Sequence, residues 1–311
     1  MLTHFGRIHL RPEWKDAVVC IGTFDGVHRG HQEVIQTAVA EAARHEIPCA
    51  LVTFDRHPAS TLAPDRKPAA IATLEQNLRA FRQMGVGIAL VLPFDADMAT
   101  KTAETFAAEI LDDALCARHL VVGHDFALGR GRAGTGEWLA QRYDTQIVPP
   151  YLIDGQRVSS TAIRVAIAEG RVEDAARWLG RPYALAGVVV GGQRLGRQLG
   201  YPTANLARPG DQILPADGVY ATWVHLEGRA YRGATSIGMR PAVQGTHRTV
   251  ETYLLDYEGA AFYGEALEVQ FVRRIRPEAN FDSLEALTAQ IAADVAEARV
   301  HLSEEATDCA P

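Results

Sequence analysis

The chain has 311 residues, of which 47 % are hydrophobic and 22 % charged, and its formal net charge is −7 at pH 7. This length and composition favour two globular domains that bury sizeable cores. The acidic balance excludes a global basic field for nucleic acid or an anionic membrane surface, so neither is an expected partner. No apolar run approaches the roughly 20 residues that a membrane-spanning helix needs.

The cysteines are scattered along the chain, at positions 20, 49, 116 and 309, and the sequence has no Cys-x-x-Cys pair. This spacing argues against both zinc knuckles and a disulfide framework. The amino-terminal stretch has no apolar core segment of the kind that signal peptides carry. We therefore expect a soluble protein that works in the reducing cytoplasm.

The first half of the chain alternates short apolar runs with helical patterns. Strands are predicted at 17–21, 49–54, 88–94 and 119–123, and helices at 32–44, 73–85 and 102–115. The second helix opens on Thr73, with Gln76 as a capping-box partner, and stops at Gly85. This alternation predicts an α/β, Rossmann-like domain with a parallel sheet and right-handed crossovers. In such sheets, ligands bind at the carboxyl ends of the strands.

The alternation of strand and helix patterns ends after Ser159. Two short helices are predicted at 161–170 and 172–180, and β-rich runs at 186–192, 218–226, 250–257 and 265–272. Glycine and proline separate these runs, and this pattern favours a small antiparallel β-barrel.

A helix predicted at 282–299 closes the barrel domain. Its cap is predicted to come from Asp282 and Glu285, and its apolar stripe consists of Leu284, Leu287, Ile291 and Val295. The turn-rich stretch 180–187 is the predicted junction between the domains. We place the domains at 1–183 and 184–303 and expect residues 304–311 to form a disordered tail.

The segment GTFDGVHRGH, residues 22–31, follows the first predicted strand. Gly22 permits a tight turn where a side chain would collide with a bound phosphate. Gly26 and Gly30 leave the loop without a side chain at two further positions. His31 begins the predicted helix, whose free N–H groups attract anions. If the helix starts early, His28 and His31 face one ligand, which suits a triphosphate whose α-phosphorus is attacked. A plain glycine-rich turn and half of a zinc site stay open as alternatives.

The segment GVVVGGQRLGRQLGYPTANL, residues 187–206, combines two glycine-rich turns with arginines at 194 and 197. Its glycines permit close backbone approach to phosphates, but the segment is not a Walker A loop because Gly-Lys-Ser/Thr is absent. Thr203 and Asn205 point the same way on an extended segment and offer uncharged oxygens to a hard cation such as Mg²⁺. A glycine-rich β-turn with a buried Thr and Asn is the alternative.

Four segments of the first half together resemble the nucleotidyltransferase superfamily, in the form found in bacterial FAD synthetases. They are GTFDGVHRGH (22–31), FDRHP (54–58), VVGHDFALGRGRAG (121–134) and VSSTAIR (158–164). The resemblance implies that His28 and His31 contact the ATP phosphates and stabilise the leaving pyrophosphate. It also implies nucleotide contacts from Gly22, Phe24, Asp25, Gly30, Asp125, Ser159, Ser160, Thr161 and Arg164.

The 187–206 segment resembles the signature of riboflavin kinases, and later segments from 214 to 294 follow in that family's order. This resemblance implies Glu251 as the general base for the ribityl 5′-hydroxyl. It also implies nucleotide contacts from Gly191, Gly196 and Arg197 and a Mg²⁺ site at Thr203 and Asn205. Together, the two resemblances extend from about residue 16 to residue 300. They point to the bacterial family of bifunctional riboflavin kinase/FMN adenylyltransferases.

That family implies phosphorylation of riboflavin to FMN by ATP, followed by transfer of AMP from a second ATP to give FAD and pyrophosphate. The expected partners are these small molecules, and an oligomer is compatible with the function but not required. The chain departs from the family pattern at Arg56, Ala127, Leu128, Ser236, Ala242 and Tyr253. Two alternatives are kept: a kinase whose first domain is inactive because of the changes at Ala127 and Leu128, and, from another class of protein, a flavin-binding sensor or carrier without turnover.

Overall fold

A computed structural model describes residues 1–6, 14–192, 195–208, 210–242 and 245–304. Its contacts divide the chain into two compact units, Met1–Ser160 and Thr161–Pro311. This division falls earlier in the chain than the predicted boundary at 183/184, which stays a proposal. Residues 305–311 of the predicted tail lie outside the described residues.

The first unit is built on a six-stranded sheet in which every pairing is parallel. The strands are β1 (Leu2–Phe5), β2 (Val18–Ile21), β3 (Cys49–Phe54), β4 (Ile88–Leu92), β5 (His119–Gly123) and β8 (Asp144–Val148), in the order β1-β4-β3-β2-β5-β8. Two short antiparallel ribbons lie outside this sheet. They pair β6 (Ala127–Leu128) with β7 (Gly134–Thr135), and β9 (Leu152–Ile153) with β10 (Gln156–Arg157). The predicted parallel α/β fold is therefore confirmed.

Helices cover both faces of this sheet. The helices are α1 (Arg29–His45), α2 (Ala59–Leu62), α3 (Leu74–Gln83), α4 (Ala96–Thr100), α5 (Ala103–Phe106) and α6 (Gly136–Ala140). Strand β2 is buried along its whole length. Val18 packs in a hydrophobic cluster with Ile35 of α1 and Phe81 of α3. Val19 packs in a second cluster, which includes Phe106 of α5. A strand covered on both faces reads as a continuous apolar run, which is why it could be predicted.

Helix α1 begins at Arg29, earlier than the predicted start at Gln32. The predicted capping box at Thr73 and Gln76 is present, and α3 follows it. The predicted helix at 102–115 is divided: α5 leads into a π-helical segment, Ala107–Ala114, in which the N–H of Leu115 bonds to the carbonyl of Ile110. Such a change of winding leaves apolar periodicity almost intact, so the sequence pattern did not reveal it.

The second unit contains a closed, six-stranded antiparallel barrel preceded by two helices, α7 (Ser160–Ala168, whose first residue belongs to the first unit) and α8 (Val172–Leu179). The strands are β11 (Tyr183–Val190), β12 (Thr203–Ala207), β13 (Gly218–Leu226), β14 (Arg229–Ala242), β15 (Gly245–Leu254) and β16 (Ala266–Pro277), in the order β11-β12-β15-β14-β13-β16. A short helix, α9 (Leu195–Gln198), precedes β12. The predicted barrel is confirmed.

The closing helix α10 (Leu284–Glu304) packs on the barrel. Ala298 and Leu302 are fully buried there, whereas Leu284 of the predicted stripe is 57 % exposed. The cap also differs from the prediction, because the Ser283 hydroxyl accepts the N–H of Ala286 at 3.1 Å. Buried Asp294 accepts two hydrogen bonds of 2.8 Å from the guanidinium of Arg276 on β16, which fixes the middle of the helix.

Candidate active sites

The loop 22–28 lies at the topological switch point of the parallel sheet, where the chain stops adding strands on one side of β2 and starts on the other. Strand β2 pairs with β3 on one side and with β5 on the other, and the loop leaves the carboxyl end of β2. Open parallel sheets bind ligands in the crevice outside such a point. The glycine-rich segment therefore lies where this fold class binds its ligands.

The two histidines of this loop stack on each other at the start of α1. His28 is the N-cap, with φ −69° and ψ 167°, and its Nδ1 accepts the backbone N–H of His31 at 3.2 Å. The ring centroids are 3.6 Å apart at an interplanar angle of 17°. Because Nδ1 of His28 is an acceptor, its neutral ring carries the proton on Nε2. The structure thus brings together the two predicted phosphate-contacting residues.

Small and aromatic residues set the position of these rings. A Cβ at Gly22 would lie 3.0 Å from Cζ of Phe24, and the Phe24 ring meets the ring of His31 edge-on at 5.3 Å. A Cβ at Gly30 would lie 3.3 Å from the His28 ring. Phe24 and Val27 hold left-handed backbone angles, with φ 46° and 41°. Left-handed φ in bulky residues is costly and concentrates at functional sites, where the surroundings enforce it.

Asp25 fastens the loop to the segment before α3. Its carboxylate accepts the backbone N–H groups of Ile71 and Ala72 at 3.1 Å. The Gly26 N–H donates to Oδ1 of Asn77 at 3.1 Å, and a Cβ at Gly26 would lie 2.6 Å from Cγ2 of Ile71. Asp25 was predicted to contact the nucleotide, and in the structure its carboxylate binds backbone of the same unit.

The remaining residues predicted for the nucleotide follow β5 or lie just before and within α7. Asp125 is exposed, and its carboxylate pairs with the guanidinium of Arg157 at the end of the ribbon β9–β10. The Ser160 hydroxyl donates to the carbonyl of Asp25 at 3.4 Å, and Ser159 is half-buried beside it in sequence. Thr161 and Arg164 belong to the second unit, where Thr161 is exposed and Arg164 half-buried.

In the barrel, three predicted residues lie together on one face of neighbouring strands. Asn205 on β12 is directly opposite Glu251 on β15, and the Thr203 hydroxyl donates to Oε2 of Glu251 at 3.2 Å. Ala204, which lies between Thr203 and Asn205, and Thr252, which follows Glu251, are both buried in the barrel. Since side chains alternate along a strand, the threonine, asparagine and glutamate project away from the barrel interior. The expected common direction of Thr203 and Asn205 agrees with this arrangement.

Glycines permit close approach around this trio. A Cβ at Gly192 would lie 2.3 Å from Nδ2 of Asn205, and one at Gly196 would lie 2.3 Å from the carbonyl oxygen of Tyr201, whereas one at Gly191 meets nothing within 4 Å. The backbone of Arg197 lies in α9, but its side chain, like all of Arg194, lies outside the described residues.

Comparison with known proteins gives one family model for each half of the chain. The FAD synthetase family model matches residues 10–162, and the riboflavin kinase family model matches residues 179–302. A bifunctional riboflavin kinase/FMN adenylyltransferase from Pseudomonas fluorescens is 39 % identical over 94 % of this chain and 96 % of its own length. The protein of the same name from Escherichia coli K12 is 37 % identical over 91 % of each chain. The chain belongs to the family of bifunctional riboflavin kinase/FMN adenylyltransferases.

A solved structure is similar to this family member along almost the whole chain. It is the crystal structure of a protein named macrolide-efflux protein, from Streptococcus pneumoniae, and it is 34 % identical with a TM-score of 0.88. The match covers 96 % of this chain and 99 % of the other. Within the described ranges, none of the helices combines the length and apolar character that a bilayer crossing requires.

Two oxygen donors of the barrel, on Thr203 and Asn205, suit the Mg²⁺ that the family implies. A threonine hydroxyl and an asparagine carbonyl are hard ligands of the kind that Mg²⁺ prefers. Gly192 approaches the Asn205 amide too closely for any Cβ, so the turn is shaped around this side chain. The residues present therefore fit a Mg²⁺ ion.

The structure also adds one residue that the sequence patterns did not single out. Arg157 precedes the Val-Ser-Ser-Thr run and holds Asp125 through its guanidinium. The available signal was an arginine just before a segment rich in hydroxyl groups. That signal is weak, because the pairing with Asp125 joins residues 32 positions apart.

Proposed function

We propose that this chain carries out both reactions named in its relatives, on two separate sets of residues. The barrel phosphorylates riboflavin with ATP to give FMN, and the parallel-sheet unit joins FMN to the adenylyl group of a second ATP to give FAD and pyrophosphate. The observation that carries this proposal is the contact of Thr203 with Glu251 opposite Asn205, because a binding protein without turnover needs no base.

In the kinase reaction, Glu251 takes the proton of the ribityl 5′-hydroxyl as that oxygen attacks the γ-phosphorus of ATP and ADP leaves. The Thr203 hydroxyl bonds to Oε2 of Glu251, which orients the carboxylate. Thr203 and Asn205 would hold Mg²⁺, which when bound neutralises the ATP phosphates. Gly191, Gly196 and Arg197 are proposed to lie against the nucleotide. Positioning and electrostatics supply most of the rate in such reactions.

In the adenylyl transfer, the FMN phosphate attacks the α-phosphorus of ATP. This phosphate is already anionic at neutral pH, so the reaction needs no general base. We assign His28 and His31 the task of donating hydrogen bonds to phosphate oxygens of ATP. The N–H groups at the start of α1 add positive potential where the pyrophosphate leaves.

The other predicted nucleotide contacts of the adenylyl transfer stay proposals with distinct tasks. Gly22, Phe24 and Gly30 shape the loop, and Asp25 is proposed to hold the loop in place through Ile71 and Ala72. Ser159, Ser160, Thr161 and Arg164 are proposed as a second phosphate-binding segment, with Asp125 close to the flavin phosphate or the nucleotide. We further propose that the enzyme works in the cytoplasm, where ATP is plentiful, as a monomer or an oligomer.

A product assay tests the proposal. The protein is incubated with riboflavin, ATP and Mg²⁺, and FMN and FAD are separated by chromatography over time. The proposal predicts that FMN appears first and FAD follows. Accumulation of FMN with no FAD, also when FMN is supplied, would support the kinase-only alternative. Binding of riboflavin without any ATP consumption would support the sensor or carrier alternative.

A further inference from the structure

A cluster of imidazole and carboxylate groups lies at the edge of the parallel sheet opposite the His28–His31 loop. Helix α1 has 17 residues, so its last residue, His45, lies about 24 Å from its first. His119 is the first residue of β5, and Asp144 is the first residue of β8. The amino ends of the strands and the end of α1 therefore meet at this opposite edge. The proposed reactions use none of these groups.

The groups of this cluster are within bonding reach of one another. Nε2 of His45 is 2.8 Å from Oε1 of Glu41, one helical turn earlier, and Nδ1 of His119 is 2.8 Å from Oδ2 of Asp144. The rings of His45 and His119 stack with centroids 4.3 Å apart. One ligand atom each from Glu41, His45 and His119 lies within 4.8 Å of the other two.

We propose that Glu41, His45 and His119 bind a divalent transition-metal ion such as Zn²⁺, and that Asp144 orients His119. Two imidazoles and one carboxylate are a ligand set that Zn²⁺ uses in sites with a fourth position open to water. Ideal tetrahedral bonds place ligand atoms about 3.4 Å apart, so the ligand atoms need to close in by up to about 1.4 Å. The stacked rings of His45 and His119 also need to turn so that a nitrogen lone pair of each faces the ion. The side chains of His45 and Glu41 are 35 % and 20 % exposed, so an ion has access from solvent.

Asp144 gives His119 the arrangement that metal-binding histidines share. Its carboxylate accepts from Nδ1 of His119, which leaves Nε2 of that ring as a lone-pair donor. Carboxylate–histidine pairs of this kind fix the tautomer and raise the basicity of the ligand. The β5–β8 pairing places the two residues directly opposite each other, so the register of the sheet brings the pair together.

Arg44 competes for the same carboxylate. Its guanidinium pairs with Glu41 and also lies 3.2 Å from Nε2 of His45. This guanidinium holds the pKa of the Glu41 carboxyl below its usual range. The Arg44 side chain is 70 % exposed, so it can swing into solvent when a metal ion takes its place. The proposed site therefore predicts that removal of Arg44 tightens metal binding.

A bound ion would join the end of α1 to the first residue of β5. Since the unfolded chain does not hold these three ligands together, binding would stabilise the folded unit. The site would select Zn²⁺, Co²⁺, Ni²⁺ or Cu²⁺ over Mg²⁺, because its nitrogen ligands suit transition metals. It would therefore stay distinct from the Mg²⁺ proposed for the barrel.

The test uses the full chain without an affinity tag, in excess Mg²⁺. Zn²⁺ binding is measured by calorimetry, and Co²⁺ binding by its visible absorption, which reports tetrahedral nitrogen and oxygen ligands. We expect one metal ion per chain at this site. We expect His119→Ala to weaken binding about 100-fold and Asp144→Asn about 10-fold, while Arg44→Gln tightens binding. His45→Ala provides a second ligand variant, at a more exposed position, should His119→Ala fail to fold.

Two further results decide the proposal. Zn²⁺ should raise the unfolding temperature of the wild-type chain, and it should raise that of His28→Ala equally, because the stacked pair of the nucleotide loop is not involved. Unchanged Zn²⁺ affinity in folded His119→Ala or His45→Ala would overturn the proposal. Loss of the Co²⁺ spectrum in His28→Ala would also overturn it, because the ion would then be bound at the nucleotide loop.

Discussion

The carboxylate of Glu251 accepts a 3.2 Å hydrogen bond from the hydroxyl of Thr203 on the neighbouring strand of the barrel. The same strand places Asn205 directly opposite Glu251. One pair of antiparallel strands therefore presents a base and two oxygen donors for a cation on one face. This arrangement leads to separable predictions for the two reactions.

Glu251→Gln should abolish FMN formation while leaving FAD synthesis from supplied FMN. The amide keeps the shape of the side chain but cannot accept the ribityl proton, so we expect a loss on the order of 10²- to 10⁴-fold in kcat. Both half-reactions are measured by chromatography. Glu258→Gln is the matched control, because Glu258 is an exposed residue of the same unit. Equal loss of both half-reactions in folded Glu251→Gln would argue against this role.

His28→Ala should have the opposite effect. The variant loses the stacking partner of His31 and a donor to the phosphates, so FAD synthesis should fall on the order of 10²- to 10³-fold. FMN formation from riboflavin should be unchanged. Gln36→Ala, at an exposed position of the same helix, serves as the control. If FAD synthesis survived in His28→Ala, the stack would be structural and not catalytic.

Gly192→Ala should disturb the barrel site selectively. The new Cβ would lie 2.3 Å from Nδ2 of Asn205, so the asparagine must move away from its place opposite Glu251. We expect FMN formation to fall on the order of 10²-fold, with a higher Mg²⁺ concentration for half-maximal rate. Gly191→Ala is a close control, since its Cβ meets nothing within 4 Å. Similar rates and Mg²⁺ requirements in the two variants would contradict a cation role for Asn205.

Asp25→Asn should loosen the nucleotide loop without removing a group that touches phosphate. The amide can offer only one oxygen to the N–H groups of Ile71 and Ala72 and brings an N–H₂ group to the same place. We expect a loss of about 1–3 kcal/mol in the free energy of unfolding and a raised KM for ATP in FAD synthesis. Denaturant titration and initial rates check this, with exposed Asp65→Asn as the control. A lower kcat with unchanged stability would instead place Asp25 at the reacting groups.

Much of the architecture could be predicted because it follows from local patterns. Strand β3 has the predicted bounds, and so has β5, because both are continuous apolar runs between clear turn signals. The capping box at Thr73 could be predicted because it joins two residues that are only three positions apart in the sequence. The start of α1 was predicted late because its cap is a histidine, and the usual rules for N-caps favour Ser, Thr, Asp and Asn.

The roles of other residues depend on contacts that a single sequence does not display. Asp25 and Ile71 meet across 46 positions, and Asp125 and Arg157 across 32. Glu41, His45 and His119 come from a helix and a strand that only the sheet order brings together. The spacing of Thr203 and Asn205, in contrast, could be interpreted directly, since alternation along a strand gives both side chains one direction.

The central claim is that the two reactions use separate sets of residues, and mixing two variants tests it most directly. Glu251→Gln and His28→Ala are incubated together with riboflavin, ATP and Mg²⁺, and FAD is measured over time. The account predicts that neither variant alone makes FAD from riboflavin, while the mixture does, because FMN made by one variant serves the other. A mixture of folded variants that makes no FAD would contradict it.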